Sequence, residues 1–248
     1  MQIPARKGSV MHNIVVSGGS GAIGSAFLRE LARKFPQASI HSLSRSPKAS
    51  ASPGVQSIHV DYLDEGSLQA AAEQVAGKGA VDLIILAGGI LHQGDITPEK
   101  SLRELSAEKL LALFTANTVA PALTAKHFLP LLPRERRGVF AALSARVGSI
   151  SDNHLGGWYS YRASKAALNM FIRNASIEIR RRHPKAIVVG LHPGTVESGL
   201  SEPFLRNVAP DRRFSPQYSV SRMLAVVQTL TPSQSGHCFA WDGSCIDP

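Results

Sequence analysis

Asn13-Ile14-Val15-Val16-Ser17-Gly18-Gly19-Ser20-Gly21-Ala22-Ile23-Gly24 is the stretch from which the fold of this chain is read. Asn13 to Ser17 is a short apolar run rich in branched residues, as a buried strand requires. Beyond the glycines, Ser25 to Phe35 has helical spacing, with Phe27, Leu28, Leu31 and Ala32 on one side. Strand, glycine turn and helix together make a cradle for a dinucleotide pyrophosphate. Glycines let backbone N–H groups approach the phosphates, and the helix N-terminus adds favourable partial charge. An ordinary glycine turn is the alternative, but both flanks are of the type the cradle needs.

The next strand, Ala38 to Ser44, bears on which dinucleotide is held. An NAD site places Asp or Glu near its end for the ribose hydroxyls. No acidic residue stands between Glu30 and Asp61, and Ser44-Arg45-Ser46 occupies that place, with Lys48 just beyond. A cation among hydroxyls suits a 2′-phosphate, so NADP(H) is favoured over NAD(H). The chain continues in alternation. Strands are expected over 55–60, 81–87, 138–144, 186–191 and 237–241, and helices over 67–75, 102–113, 118–131, 161–182 and 220–230. This predicts an α/β, doubly wound Rossmann fold, a seven-stranded, mostly parallel sheet with helices on both faces. One domain spans 1–248, with 1–11 a flexible extension.

Composition fits a compact α/β chain, with 44% apolar and 18% charged residues. No apolar run approaches a membrane span and no secretory leader is visible. Cys238 and Cys245 imply no disulfide framework, so a reducing, cytoplasmic setting is expected. The formal charge of +9 raises a nucleic-acid or membrane partner. The clusters Arg134 with Arg136 and Arg137, and Arg180 to Arg182, fall at predicted helix ends, where cations offset the dipole. Arg212 and Arg213 form a third. No nucleic-acid motif accompanies them, no metal-ligand set is read, and they are taken as solvated termini.

Tyr161 and Lys165 stand four residues apart at the head of a predicted helix, on one face and one turn apart. An isolated Tyr is only about 0.1% ionised at pH 7. A fixed cation beside it favours the phenolate, giving a proton donor and acceptor near neutrality. A solvated surface pair is the plainer reading, which the glycine loop makes less apt.

With these motifs in place, the chain resembles the short-chain dehydrogenase/reductase family, in its single-domain subgroup and C-factor-like branch. Gly89-Ile90-Leu91-His92 and Gly156-Gly157-Trp158-Tyr159-Ser160-Tyr161-Arg162-Ala163-Ser164-Lys165 carry the branch likeness. Ser17, Gly18 and Gly24 follow the family's glycine pattern, with Ala22 in place of its middle glycine. The resemblance implies an adenine contact at Asp61 and Tyr62. The family's Asn-Asn-Ala-Gly reads here as Leu86-Ala87-Gly88-Gly89, so the asparagines are missing while the small residues still allow cofactor approach. The catalytic Asn falls on Asn117, holding a water that relays protons to the Lys; a helix N-cap is its structural alternative. Pro193-Gly194-Thr195-Val196-Glu197-Ser198 resembles a segment that serves the nicotinamide and phosphates, through Val196 and Ser198. The family's catalytic serine falls on Ala145. Ser144 is the nearest hydroxyl and Ser149 the next, and losing such a hydroxyl costs about 2–4 kcal/mol of transition-state stabilisation.

The resemblance implies an NADP(H)-dependent oxidoreductase acting on a small carbonyl or alcohol substrate. Tyr161 would be the acid/base, with Lys165, Ser144 and Asn117 in support. Gly18, Ser20, Gly21, Ala22, Ile23, Gly24, Arg45, Asp61, Tyr62, Ala87, Gly88, Gly89, Pro193, Gly194, Val196 and Ser198 would hold the cofactor together with Tyr161 and Lys165. Residues 197–217 would form part of a lid, and a homodimer or homotetramer would pair through 118–131 and 161–182. An NADP(H)-binding regulatory protein with weak or no catalysis is the competing reading.

Overall fold

The computed structural model describes residues 10–46 and 53–248. Lys48 and residues 1–9 of the expected extension lie outside them. Val10 is exposed, but Met11 is buried and joins the core, unlike a flexible extension.

In chain order the elements are β1 (Asn13–Ser17), α1 (Ala22–Lys34), β2 (Ser39–Ser44), β3 (Val55–His59), α2 (Glu65–Ala76), β4 (Leu83–Leu86), α3 (Ala107–Phe114), α4 (Ala120–Phe128), β5 (Gly138–Leu143), α5 (Tyr159–Ile179), β6 (Ala186–His192), β7 (Thr195–Val196), β8 (Arg213–Phe214), α6 (Pro216–Thr229), β9 (Cys238–Ala240) and β10 (Cys245–Ile246). The main sheet has the order β10-β9-β6-β5-β4-β1-β2-β3. Every pairing in it is parallel except β9 with β10. Eight strands replace the expected seven. The eighth, β10, has two residues, too few to show any periodicity, and it caps the β9 edge by pairing Ile246 with Cys238. β7 and β8 form a separate parallel pair, β7 just ahead of the expected lid and β8 within it.

β1, β4 and β5 are buried along their whole length. Such runs suit a sheet covered on both faces. Phe27, Leu28 and Leu31 of α1 and Val220, Met223 and Val227 of α6 fill one side. Leu68 of α2, Phe128 of α4 and Leu168 and Ile172 of α5 fill the other.

The helix ends follow from local chemistry. The Asp64 side chain accepts from Gly66 N (2.9 Å) and starts α2. Ser106 Oγ accepts from Lys109 N (3.2 Å) and starts α3, while Leu102–Glu104 is only a 3-10 turn. α3 and α4 were expected as separate helices. They are joined by a π turn, Thr115–Val119, in which Ala120 N–H donates to Thr115 O. Pro121 lies at the start of α4 and has no N–H to return to Asn117, four residues earlier. A one-residue bulge in the ladder absorbs that loss.

Two predictions follow from the packing. A Cβ on Gly24 would overlap the Gly18 carbonyl oxygen. Gly24→Ala must displace the turn, and thermal denaturation is expected to show a loss of about 1–3 kcal/mol; an unchanged Tm would refute this contact. The second concerns His41 on β2, 1% exposed and with both ring nitrogens unpartnered. Burial, with Lys78 adding to it, holds its imidazole below the usual 6.5. His192, at the end of β6, is pushed down to about 4 by burial and then by Arg146. Both are folded neutral, so the unfolded chain takes up protons first as pH falls. Their stabilisation is full above about pH 6.5 and is lost below it, at about 1.4 kcal/mol per unit of separation. The Tm lost between pH 7.5 and 5 should be smaller in His41→Leu than in the unmodified chain, and an equal loss would clear His41 of this role.

Candidate active site

The strand order reverses between β1 and β4, and a cavity of about 410 Å³ opens at their carboxyl ends. This is the crevice where open parallel sheets bind ligands. Gly18, with φ +74°, turns the chain there, and a Cβ on it would lie 2.8 Å from Gly88 N. The two turns therefore meet backbone to backbone, which is why residue 18 carries no side chain. Gly18, Ser20, Gly21, Asp61, Tyr62, Ala87, Gly88 and Gly89 line the cavity as expected, and Ser44, Arg45 and Ser46 line it at the end of β2. Ala22, Ile23 and Gly24 do not; they form the first turn of α1 behind it. Tyr62 has a structural task as well. Its hydroxyl accepts from Ser17 Oγ (2.9 Å) and donates to Leu43 O (2.8 Å), bolting the end of β1 to the end of β2. Glycine backbone, a helix start and a cation beside hydroxyls are the groups a dinucleotide needs, so the residues present fit a nicotinamide cofactor.

Beside the cavity the three remaining polar groups converge. A Cβ on Gly89 would lie 3.0 Å from Asn117 Oδ1 and 3.4 Å from Lys165 Nζ. Asn117 is fully buried in the π turn. Its Oδ1 accepts from Ile90 N (2.8 Å), and its Nδ2 donates to Ile90 O (2.9 Å) and Ser164 Oγ (3.1 Å). It is no N-cap: it sits mid-rod and clamps the loop after β4 onto α5. Lys165, 4% exposed, donates from Nζ to Leu143 O (2.9 Å) at the end of β5 and stands 5.9 Å from the centre of the Tyr161 ring.

The proton affinities differ from expectation. Desolvation pushes the Tyr161 phenol up to about 12 and the Lys165 ammonium down to about 8. Lys165 was expected to lower the phenol, but burial raises it instead. Tyr161 is thus a protonated donor at neutral pH.

The hydroxyls after β5 are committed elsewhere. Ser144, expected to steady the carbonyl, is buried and donates to Asn169 Oδ1 (2.6 Å) on α5. Its side chain thus faces α5 and lies close to Gly190 of β6. Ser149 is buried in its loop, accepting from Asp152 N (3.1 Å). Pro193, Gly194, Val196 and Ser198 are not in the cavity lining. Gly194 packs under Phe214 and Trp241, Pro193 O accepts from Ser219 Oγ (2.7 Å), and Ser198 N donates to Ser201 Oγ (3.2 Å).

Sequence reasoning missed two further parts. Glu99, 1% exposed, accepts from Ser160 N (3.2 Å) and from Ser160 Oγ at the first turn of α5. Its carboxylate thus caps the helix that carries Tyr161. Trp158 holds φ at +51°, the only non-glycine residue with positive φ among those described. Its ring meets Tyr161 edge-on (6.1 Å) and packs on Phe204 (5.0 Å), which in turn contacts His92 (5.9 Å). This aromatic wall borders the phenol. Glu99 stands in a loop with no pattern around it; the Gly156-Gly157 pair ahead of Trp158 was the one available signal.

The profile of the short chain dehydrogenase family matches residues 12–208. C-signal of Myxococcus xanthus is 35% identical over 58% of this chain and 81% of its own. An uncharacterized oxidoreductase of Schizosaccharomyces pombe is 26% identical over 93% of this chain and 96% of its own. Among solved structures, NADPH-bound carbonyl reductase from chicken fatty liver superposes with a TM-score of 0.83 at 26% identity, covering 96% of this chain and 99% of that one. Carbonyl reductase Sniffer of D. melanogaster shares the fold with a TM-score of 0.82 at 20% identity, over 96% of this chain and 100% of its own. The nicotinamide cleft, the Tyr161–Lys165 helix and the family match agree: this chain belongs to the short chain dehydrogenase family of oxidoreductases.

Proposed function

We propose that the chain is an NADP(H)-dependent carbonyl reductase in which Tyr161 is the proton donor. The observation that carries this is the meeting of Asn117 and Lys165 at Gly89, where the glycine-lined cavity adjoins the helix of Tyr161. A bound nicotinamide supplies the hydride, with its electron pair, to the carbonyl carbon. The carbonyl π electrons move to oxygen, and that oxygen takes the Tyr161 proton. The phenolate left behind is stabilised by the Lys165 ammonium. The Asn117 carbonyl, which Pro121 cannot engage, is placed to hold a water that returns the proton through Lys165.

Burial raises the Tyr161 phenol to about 12, so it carries its proton at neutral pH, as a donor must. The chicken carbonyl reductase, described as NADPH-bound, supports the same cofactor and chemistry. Trp158, Phe204 and His92 suit an apolar or aromatic carbonyl compound. Leu111, Val119 and Met170 expose apolar side chains along α3 to α5, through the π turn; these favour pairing with a second copy. No described helix is long and apolar enough to cross a membrane.

A second reading has one observation behind it. Ala145 offers no hydroxyl and Ser144 is spent on Asn169, as in a protein that binds NADP(H) and turns over slowly. NADPH oxidation against aldehydes, ketones and quinones separates the two. Tyr161→Phe should lower kcat/KM by about 10²–10⁴ while NADPH still binds; binding without turnover in either form would favour the sensor. Arg45→Ala should weaken NADPH by about ten- to a hundredfold and leave NADH nearly unchanged, since a charged hydrogen bond contributes about 1.5–3 kcal/mol. Equal losses in fluorescence titrations would refute the NADP(H) preference.

A further inference from the structure

The nicotinamide cleft follows the carboxyl ends of the strands. A larger cavity, of about 580 Å³, lies at the opposite edge, where the chain enters β5 and β6. Arg134 reaches it from the segment before β5, and Arg181 and Arg182 from the segment after α5. These residues were expected to be separate solvated helix ends; the fold brings them to one hollow. Cations capping a helix would donate to its last carbonyls or pair with a carboxylate. Among the described residues, the guanidinium groups of Arg134, Arg181 and Arg182 make neither kind of contact. Fifteen N–H donors, five on each guanidinium, are therefore left unspent around one cavity.

The lining adds three details. Glu178 is its one carboxylate, so three arginines leave a net charge of about +2. His183 is 4% exposed, and its Nδ1 has no hydrogen-bond partner. Pro130 and Ile177 supply an apolar side. The volume falls within the range of small-molecule sites. Planar guanidinium forks match the paired oxygens of a phosphate, and a surplus of two positive charges matches a phosphate monoester dianion.

We propose that this cavity binds a small organic phosphate monoester, its phosphoryl group held by Arg134, Arg181 and Arg182 and its organic part against Pro130 and Ile177. The site is independent of the cofactor cleft, so it stands or falls apart from the reductase reading.

The test is calorimetric titration of the full chain with phenyl phosphate at low salt, repeated with inorganic phosphate, succinate and a short single-stranded RNA. The expected result is saturable binding of phenyl phosphate tighter than about 1 mM. It should be weakened at least tenfold in the triple Arg134→Gln, Arg181→Gln, Arg182→Gln variant and partly in the triple Lys variant, which keeps charge but loses the fork. All three arginines are exposed, so the variants should fold, and circular dichroism checks this. Inorganic phosphate should bind more weakly for want of the apolar contact. Absence of saturable binding, or binding undiminished in the Gln variant, would overturn the proposal. So would equal affinity in the Lys variant, which would mean a diffuse positive field. Succinate binding as tightly would overturn the phosphate assignment, and RNA binding far more tightly than any small anion would replace it with a nucleic-acid surface.

Discussion

The site depends on one close approach of backbone to backbone. Gly18 turns out of β1 against the backbone of Gly88, which follows β4, and leaves no room there for a side chain of its own. Neighbouring strands bring the two turns together, but only bare backbone lets them touch. Gly24 then packs on the Gly18 carbonyl and fixes the start of α1 relative to the turn. Gly89, one residue past the contact, lies against Asn117 and Lys165. A short series of glycines thus sets the distance between the cofactor cradle and the proton-transfer groups. Tyr62 reinforces it by tying Ser17 to Leu43.

The second constraint is desolvation. Lys165 is buried, hydrogen-bonded to a strand-end carbonyl, and its ammonium is depressed to about 8. Tyr161 is raised to about 12 by the same cause. Burial disfavours whichever form is charged, so the pair rests as a neutral phenol beside a weakened cation. Charge that develops on the phenol during transfer finds a cation in surroundings with little water to screen it. Glu99 and Trp158 keep the helix that carries the phenol in place: the carboxylate caps the first turn of α5, and the Trp158 ring braces Tyr161 from the side.

What the sequence disclosed follows the length of the interactions. β1, the glycine turn and α1 are encoded by neighbours in the chain, and the cradle was legible from them. β10, β7 and β8 are two residues each and exist only because a partner strand is at hand, so periodicity could not reveal them. The separate helices read over 102–113 and 118–131 are a matter of register. A gap was read over 114–117, whereas the helical rod runs on through it as a π turn. Arg45 was legible from position alone. Glu99 was not, because a buried carboxylate leaves no mark in a loop sequence, and its partner Ser160 lies 61 residues away. The arginines that share a cavity with Arg134 are likewise distant in the chain.

Ala145 shows how far the scaffold can do without one family feature. With no hydroxyl at the strand end, Ser144 turned inward and bonded to Asn169, tightening α5 on β5. The same interval of chain gives Lys165 the Leu143 carbonyl. The end of β5 therefore serves to position α5. In the proposed reduction the substrate oxygen would be left to Tyr161, and about 2–4 kcal/mol of transition-state stabilisation would be forgone. A carbonyl already activated by its substituents loses least from it, because its oxygen needs less help in accepting negative charge. On the proposed function the aromatic wall beside Tyr161 would then be the main means of orienting such a substrate, and selectivity would rest on shape and ring contact more than on a hydroxyl hydrogen bond.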